Sequence, residues 1–274
     1  MIDETMVLTS RALKKWIRNP AAVVPGLVTA IFYIVLFGNS VNPTNLIPGG
    51  AGASGVQQAF GGAPTYISYL AAGVICLILV FNMAFGGIDL VLDRQLGFLS
   101  TLLTAPIPRS AIFLSGVLQN LAKALLLAVL TFAIALAIPN GLELPSSFGV
   151  VDFFGVFLAF GLLGLGLSSA FTAIALSVKS IDSLVAIVNF LTLPLIFMSN
   201  SLFPSGSFPQ WLKDIASVNP ISKTNEAARL LIVNGRLSSS QLSTFGWDLL
   251  YLVGFVVVLG LVGYLVARRA LSPQ

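Results

Sequence analysis

Histidine is absent from the 274 residues, and cysteine occurs once, at Cys76. Without histidine there is no Ser-His-Asp triad, no HExxH zinc site and no histidine proton relay, and most intramembrane protease mechanisms go with them. A lone cysteine inside an apolar run excludes a disulfide or a thiolate metal cluster within one chain, and reads as a small buried hydrophobe. Charge is scarce as well: 9% of the residues are charged, against about 25% in an ordinary soluble domain. The pattern GxxxxGK[ST] occurs nowhere, so the chain has no P-loop with which to bind and hydrolyse ATP. Gly50, Gly52 and Gly55 match a dinucleotide-binding spacing, but no strand precedes them, and a flexible glycine-rich loop explains them.

What is abundant is apolar: 57% of the residues are hydrophobic. A membrane helix needs about 20 mainly apolar residues to cross about 30 Å of hydrocarbon. Six runs approach that length: Ala21–Phe37, Thr65–Ile88, Ile112–Ile138, Val151–Val178, Leu184–Leu202 and Trp247–Val266. The expected fold is therefore an all-α polytopic membrane protein with six transmembrane helices. Residues 1–20 form an amphipathic interfacial helix, 21–267 a single membrane domain, and 268–274 a cytoplasmic tail. No appended soluble module is expected.

An even number of spans puts both termini on one side. Arg11, Lys14, Lys15, Arg18, Arg94, Arg109, Lys179, Arg268 and Arg269 fall on that side, against Lys213, Lys223, Arg229 and Arg236 on the other. Basic residues favour the cytoplasm, so a multi-pass protein of the cell membrane with cytoplasmic N and C termini is expected. Basic residues ahead of the first apolar run suggest a signal peptide, but no small-residue cleavage pattern follows, and the run is expected to be retained as a span.

Several segments carry more than topology. Arg11, Lys14, Lys15 and Arg18 recur at helical spacing on one stripe, opposite Met6, Leu13, Trp16 and Ile17, and Asn19-Pro20 ends the helix. Such a helix lies in the membrane interface, with Trp16 among the acyl chains and the cations among anionic headgroups of membrane lipids. It reads as a topology anchor or as an element that transmits motion to the spans. Asp89–Arg109 is too polar at its start to span and too apolar for an idle loop. Leu96, Leu99 and Leu103 share a helical face, flanked by Phe98 and Leu102, and Pro106 and Pro108 close it. That ridge either packs on the chain's own spans or fills the groove of a partner.

Small residues four apart, at Gly155/Ala159, Gly164/Ser168 and Gly166/Ala170, allow close helix approach by the same chain or by a second copy. Lys123 is the one formal charge well inside a run, sharing a face with Gln119. At mid-membrane it would cost about 2.5–3.5 kcal/mol and should face the bundle interior or water. With no deep carboxylate expected to neutralise it, it reads either as a translocation-path residue favouring anionic cargo or as a partner for Asn82 or Asn189.

In this order the segments resemble the type-2 family of ABC transporter permeases, the group of daunorubicin-resistance-type and polysaccharide exporters. The stretches that carry the resemblance are Asp93–Gly116, DRQLGFLSTLLTAPIPRSAIFLSG, and Ser199–Gly235, with Phe203-Pro204, Pro209-x-Trp211, Asn219-Pro220 and Ala228-Arg229 at the family's spacings. The resemblance implies that Asp3–Asn19 is similar to a connecting helix. Arg94–Ala105, with Asp93 where relatives often carry Glu, is similar to a coupling helix docking on a separately encoded ABC ATPase through Asp93, Arg94, Leu96, Phe98, Leu99, Leu102 and Leu103. Phe208–Asn234 is similar to an extracytoplasmic re-entrant hairpin.

It further implies two permease copies, as a homodimer or a heterodimer, with two ATPase subunits, and no nucleic acid. No cofactor is expected in this chain, since ATP and Mg would sit on the ATPase. The implied function is export of an amphipathic small molecule, lipid or glycan, by a chain that is not itself an enzyme. The alternative, an ion-gradient-driven secondary transporter, calls for intramembrane carboxylates or inverted repeats, and neither is evident.

Overall fold

The structure, a computed structural model, describes residues 2–40, 60, 62, 63, 65–98, 104, 108–138 and 141–271. Every regular element among them is helical: α1 (Ile2–Ile17), α2 (Pro20–Ser40), α3 (Tyr66–Phe85), α4 (Ile88–Gln95), α5 (Arg109–Ala137), α6 (Val150–Ser177), α7 (Ile181–Phe197), α8 (Gln210–Val218), α9 (Pro220–Asn234) and α10 (Ser239–Ala270). The glycine-rich run at 50–55 lies outside the described residues.

Local chemistry sets most of these boundaries. Thr65 and Ser180 accept from the backbone amides of Ser68 and Ser183 and so cap α3 and α7. Ser238 and Gln241 form a capping box that starts α10 at Ser239, well before the expected Trp247. At its other end α10 continues through Ala270. Arg268 and Arg269 therefore sit in its last turn, where they complement the helix dipole, and not in a loose tail. α7 stops at Phe197 and not at Leu202. Pro194 lies near its end, and its last carbonyls are taken by side chains: Ser199 donates to the oxygen of Ile196, and Asn219 to those of Leu195 and Met198.

Residues 66–95, α5, α6 and α10 are long and apolar enough to cross a membrane. α7, with 17 residues, is shorter, and α2, with 21, contains the apolar stretch Val23–Leu36. Each of the six expected runs falls on a helix, and four of them are full-length candidates among the described residues.

α3 forms the centre and is buried almost throughout. α5 and α6 pack on it, α10 lies along α6, and α9 wedges among α3, α6 and α10. The small-residue pairs close these contacts within the chain. A Cβ on Gly164 would stand 2.5 Å from Met83, on Gly166 2.6 Å from Phe255, and on Gly155 2.7 Å from Leu231. One end of the bundle gathers α1, α4, the start of α5 and the ends of α6 and α10, with Phe113 against Tyr264. We call it the basic end. The opposite, hairpin end holds α8, α9 and the 199–207 turn.

Candidate functional site

At the basic end Lys123 is not alone. Its ammonium lies 2.8 Å from Asp89 Oδ2, and Lys15 of α1 lies 3.8 Å from Asp89 Oδ1. Only 7% of the Lys123 side chain is exposed. The expectation of an unneutralised cation is thus corrected: Asp89 is its partner, in place of Asn82 or Asn189, and the Asn82 amide is held by the oxygen of Ile78. Lys123 lies about 21 Å along α5 from Arg109, at about 1.5 Å per residue, which is the midpoint of the 29-residue helix. Its ammonium shares the Asp89 carboxylate with Lys15 of the amphipathic helix α1.

Two cavities adjoin this pair. One of about 320 Å³ is bounded by Trp16, Gly26, Phe81, Asn82, Phe85 and Lys123. A smaller one of about 120 Å³ is bounded by Arg11, Lys15, Asp93, Phe98, Ser115 and Gln119. Trp16 and Asp89 border both. Trp16 is half-buried against the bundle, and on α1 Met6, Val7 and Ile17 stand exposed. Lys14 and Arg18 are exposed, and the guanidinium of Arg11 sits 4.1 Å over the Phe98 ring.

The expected helix from Arg94 is interrupted at its start. Arg94 and Gln95 end α4, which continues α3 past Gly86 and Gly87. Leu96 is 80% exposed, and Gly97 turns the chain at φ 77°. A side chain at Gly87 would strike the Ala175 methyl at 2.7 Å, so α4 leaves α3 in direct contact with α6. Arg94 then turns inward. Nη1 donates to the oxygen of Val178 at 2.7 Å and Nη2 to that of Leu176 at 2.6 Å, while Gln95 Nε2 donates to Lys179 at 3.3 Å. Asp93 faces the smaller cavity. Leu99, Leu102 and Leu103 lie outside the described residues.

The hairpin end is knit more tightly. Asn219 caps α9, accepting from the Ile221 amide while its own amide donates to Leu195 and Met198, and Pro220 occupies the first helical position. Pro209 precedes α8, Pro204 precedes the short 3₁₀ turn at Ser205–Ser207, and Phe203 and Trp211 face outward. Arg229, buried on α9, stacks its guanidinium 3.6 Å over the Tyr69 ring and donates to the oxygens of Tyr69 and Ser201 at 3.1 and 3.0 Å. Asn225 donates to Ser201 Oγ at 2.9 Å, and Tyr69 donates to the oxygen of Asn200 at 3.0 Å.

Gly73 lets α3 reach this turn: a Cβ there would stand 1.8 Å from the oxygen of Ser201. Lys223 bridges Glu226 at 2.9 Å and Asp248 at 3.3 Å. Partial burial pulls the Lys223 pKa down, but the hydrogen bond and charge of Glu226, with those of Asp248, outweigh it and leave the pKa raised.

Sequence reasoning missed Asp89, Tyr69, Asn200, Asn225 and the Lys223–Glu226–Asp248 bridge. Only Lys223 and Glu226, three apart on one helix, carry a local signal. The other links join residues far apart in the chain.

The arrangement offers no nucleophile with a base and, among the described residues, no cluster fit to hold a metal. It offers a plug of internal hydrogen bonds at the hairpin end, beside a cavity of about 370 Å³, and at the basic end a charged junction flanked by two cavities. Residues 3–233 match the ABC-2 type transporter family. The transport permease ycf38 of Cyanophora paradoxa is 28% identical over 99% of this chain and 90% of its own length. The doxorubicin resistance ABC transporter permease DrrC of Mycobacterium tuberculosis is 22% identical over 90% of this chain and 83% of its own. The daunorubicin resistance permease DrrB1 of Streptomyces coeruleorubidus is 23% identical over 84% and 75%. With the match running from the amphipathic helix to the end of α9, the chain belongs to the ABC-2 type transporter family, the transmembrane subunits of ABC transporters.

Proposed function

We propose that the chain is the membrane half of an ATP-driven exporter for an amphipathic small molecule, lipid or glycan. The observation that carries this reading is the family match across residues 3–233 in a sequence without a P-loop. ATP and Mg belong to a separate ATPase that docks on the segment from Leu96 and Phe98 onward. Two copies of the chain enclose the path, six helices of each cross the cell membrane, and both termini lie in the cytoplasm. α8 and α9 form the extracytoplasmic re-entrant hairpin.

Cargo of mixed character suits the larger cavity, which sets Trp16, Phe81 and Phe85 against Asn82, Lys123 and Asp89. Relatives named for doxorubicin and daunorubicin resistance support such a cargo. Because Asp89 neutralises Lys123, the lysine gives no general preference for anions.

The test is to copurify the chain with the ATPase encoded beside it and to screen amphiphiles for stimulated ATP hydrolysis and uptake into inverted vesicles. Uptake that needs an ion gradient and ignores ATP would replace this reading with a secondary transporter. Orientation is checked in a Cys76→Ala background, in which Ser54→Cys and Ser205→Cys react with an impermeant maleimide from outside and Ser10→Cys does not.

A further inference from the structure

Arg94 is placed where a docking residue for a partner would be expected, yet its guanidinium bonds within the chain, to Leu176 and Val178. The last carbonyls of an α-helix have no partner within the helix and carry the negative end of its dipole. In α6 two acceptors at that end, Leu176 and Val178, are taken by the two arms of one guanidinium at 2.6 and 2.7 Å. A planar fork with two donors holds both at once, which a lysine cannot do. Gln95 adds a third link, to Lys179.

The chain on both sides of this contact is short and stiff. Beyond Arg94, Leu96 and Gly97 lead at once to Phe98, the first residue of the ATPase-facing segment. Beyond Val178, only Lys179 and the capping residue Ser180 precede α7. α7 has one buried stripe, Leu184, Val188, Thr192 and Ile196, and its far end is held by Asn219 of the hairpin. The α6–α7 turn is thus grasped from the basic end, and α7 runs from that grasp to the plug.

We infer that Arg94 is a positioning residue that joins the ATPase-facing turn to the α6–α7 turn, so that residues 94–98 and 176–181 move as one body. This rests on the ATP-driven reading. Displacement of the Phe98 segment then moves the start of α7 with it. Removal of the fork lets the segment move alone, and hydrolysis continues without moving cargo.

The experiment uses the permease with its ATPase in vesicles and reads cargo moved per ATP hydrolysed, together with ATPase copurification. Arg94→Gln should copurify normally and lower that ratio by about three- to tenfold, the span of a typical coupling residue. Arg94→Lys should fall between it and wild type. A merely structural cap would lower hydrolysis and transport in proportion and leave the ratio unchanged.

Gln95→Cys with Lys179→Cys, in a Cys76→Ala background, allows a short bis-methanethiosulfonate bridge. The bridge should restore the ratio in Arg94→Gln and leave transport intact when Arg94 is present. An unchanged ratio in Arg94→Gln, failure of the bridge to restore it, or loss of transport on bridging the Arg94-containing protein would each overturn the joint. If Arg94→Gln does not assemble, the bridge with Arg94 present still decides. An unmodified complex that moves nothing with ATP counts against the ATP-driven reading, while the bridging yield between 95 and 179 tests the contact by itself.

Discussion

The two ends of the bundle are polar in different ways. At the hairpin end polar groups are buried and serve one another: Arg229, Tyr69, Asn200, Ser201 and Asn225 bond mainly to backbone oxygens and to each other, with α3 pressed against the turn through Gly73. At the basic end Asp89 keeps 40% of its side chain exposed, Lys15 67%, and two cavities flank the pair. Buried hydrogen bonds are costly to break, whereas exposed pairs exchange with solvent at little cost. The hairpin end is held by many buried bonds even though a cavity of about 370 Å³ borders Tyr69, Asn200 and Arg229, while the basic end is held by one partly exposed ion pair flanked by two cavities.

The sharpest way to break that contrast is at Gly73. Gly73→Val puts two methyls where the oxygen of Ser201 stands, and should cost about 3–5 kcal/mol, enough to abolish a monodisperse detergent-solubilised protein. Recovery of normal protein, judged by size-exclusion profile and thermal shift, would mean that the plug is not close-packed.

At the other end Lys123→Met should cost about 1 kcal/mol, because Asp89 loses its nearer partner but keeps 40% of its side chain exposed and retains Lys15 at 3.8 Å. Adding Asp89→Asn should return most of it, since both formal charges are then gone. A double variant as unstable as the sum of the singles would show that the pair is not coupled.

Smaller in stability and larger in function is Phe98→Asp or Leu102→Asp. Each places a carboxylate in the segment proposed to face the ATPase, and each should release the ATPase on copurification while the permease inserts normally. The smallest effect belongs to Arg11→Ala, which removes one half-exposed cation–π contact with Phe98. It should shift stability by about 0.5–1 kcal/mol, visible only as a modest change in melting temperature.

Much of the architecture was readable from local pattern. The apolar runs, the amphipathic α1 and the Asn219-Pro220 cap each depend on neighbours within a turn or two, which spacing records. Lys123 is the counter-example. Its charge partner, Asp89, lies in another helix, and no periodicity reports that pairing. The bonds of Arg94 were hidden for a similar reason. Its sequence context marks an amphipathic ridge, but only the packing of α4 on α6 turns it toward Leu176 and Val178. The early stop of α7 was legible in part, since Ser199, Asn200 and Ser201 are polar, but nothing local shows that one of the groups ending the helix is Asn219, 24 residues from Leu195.

The caps of Asn219 also bear on how the chain is assembled during synthesis. Its bonds to Leu195 and Met198 cross only 24 and 21 residues, so the α7–α9 hairpin can close soon after those residues emerge. The bond from Arg229 to Tyr69 crosses 160 residues and needs α3 already in place. Translation therefore delivers a preformed lid to a waiting helix. A ribosome-stalled chain carrying, after Gly235, a linker long enough to fill the exit tunnel should already hold the hairpin, in a protease-resistant form that Asn219→Ala removes.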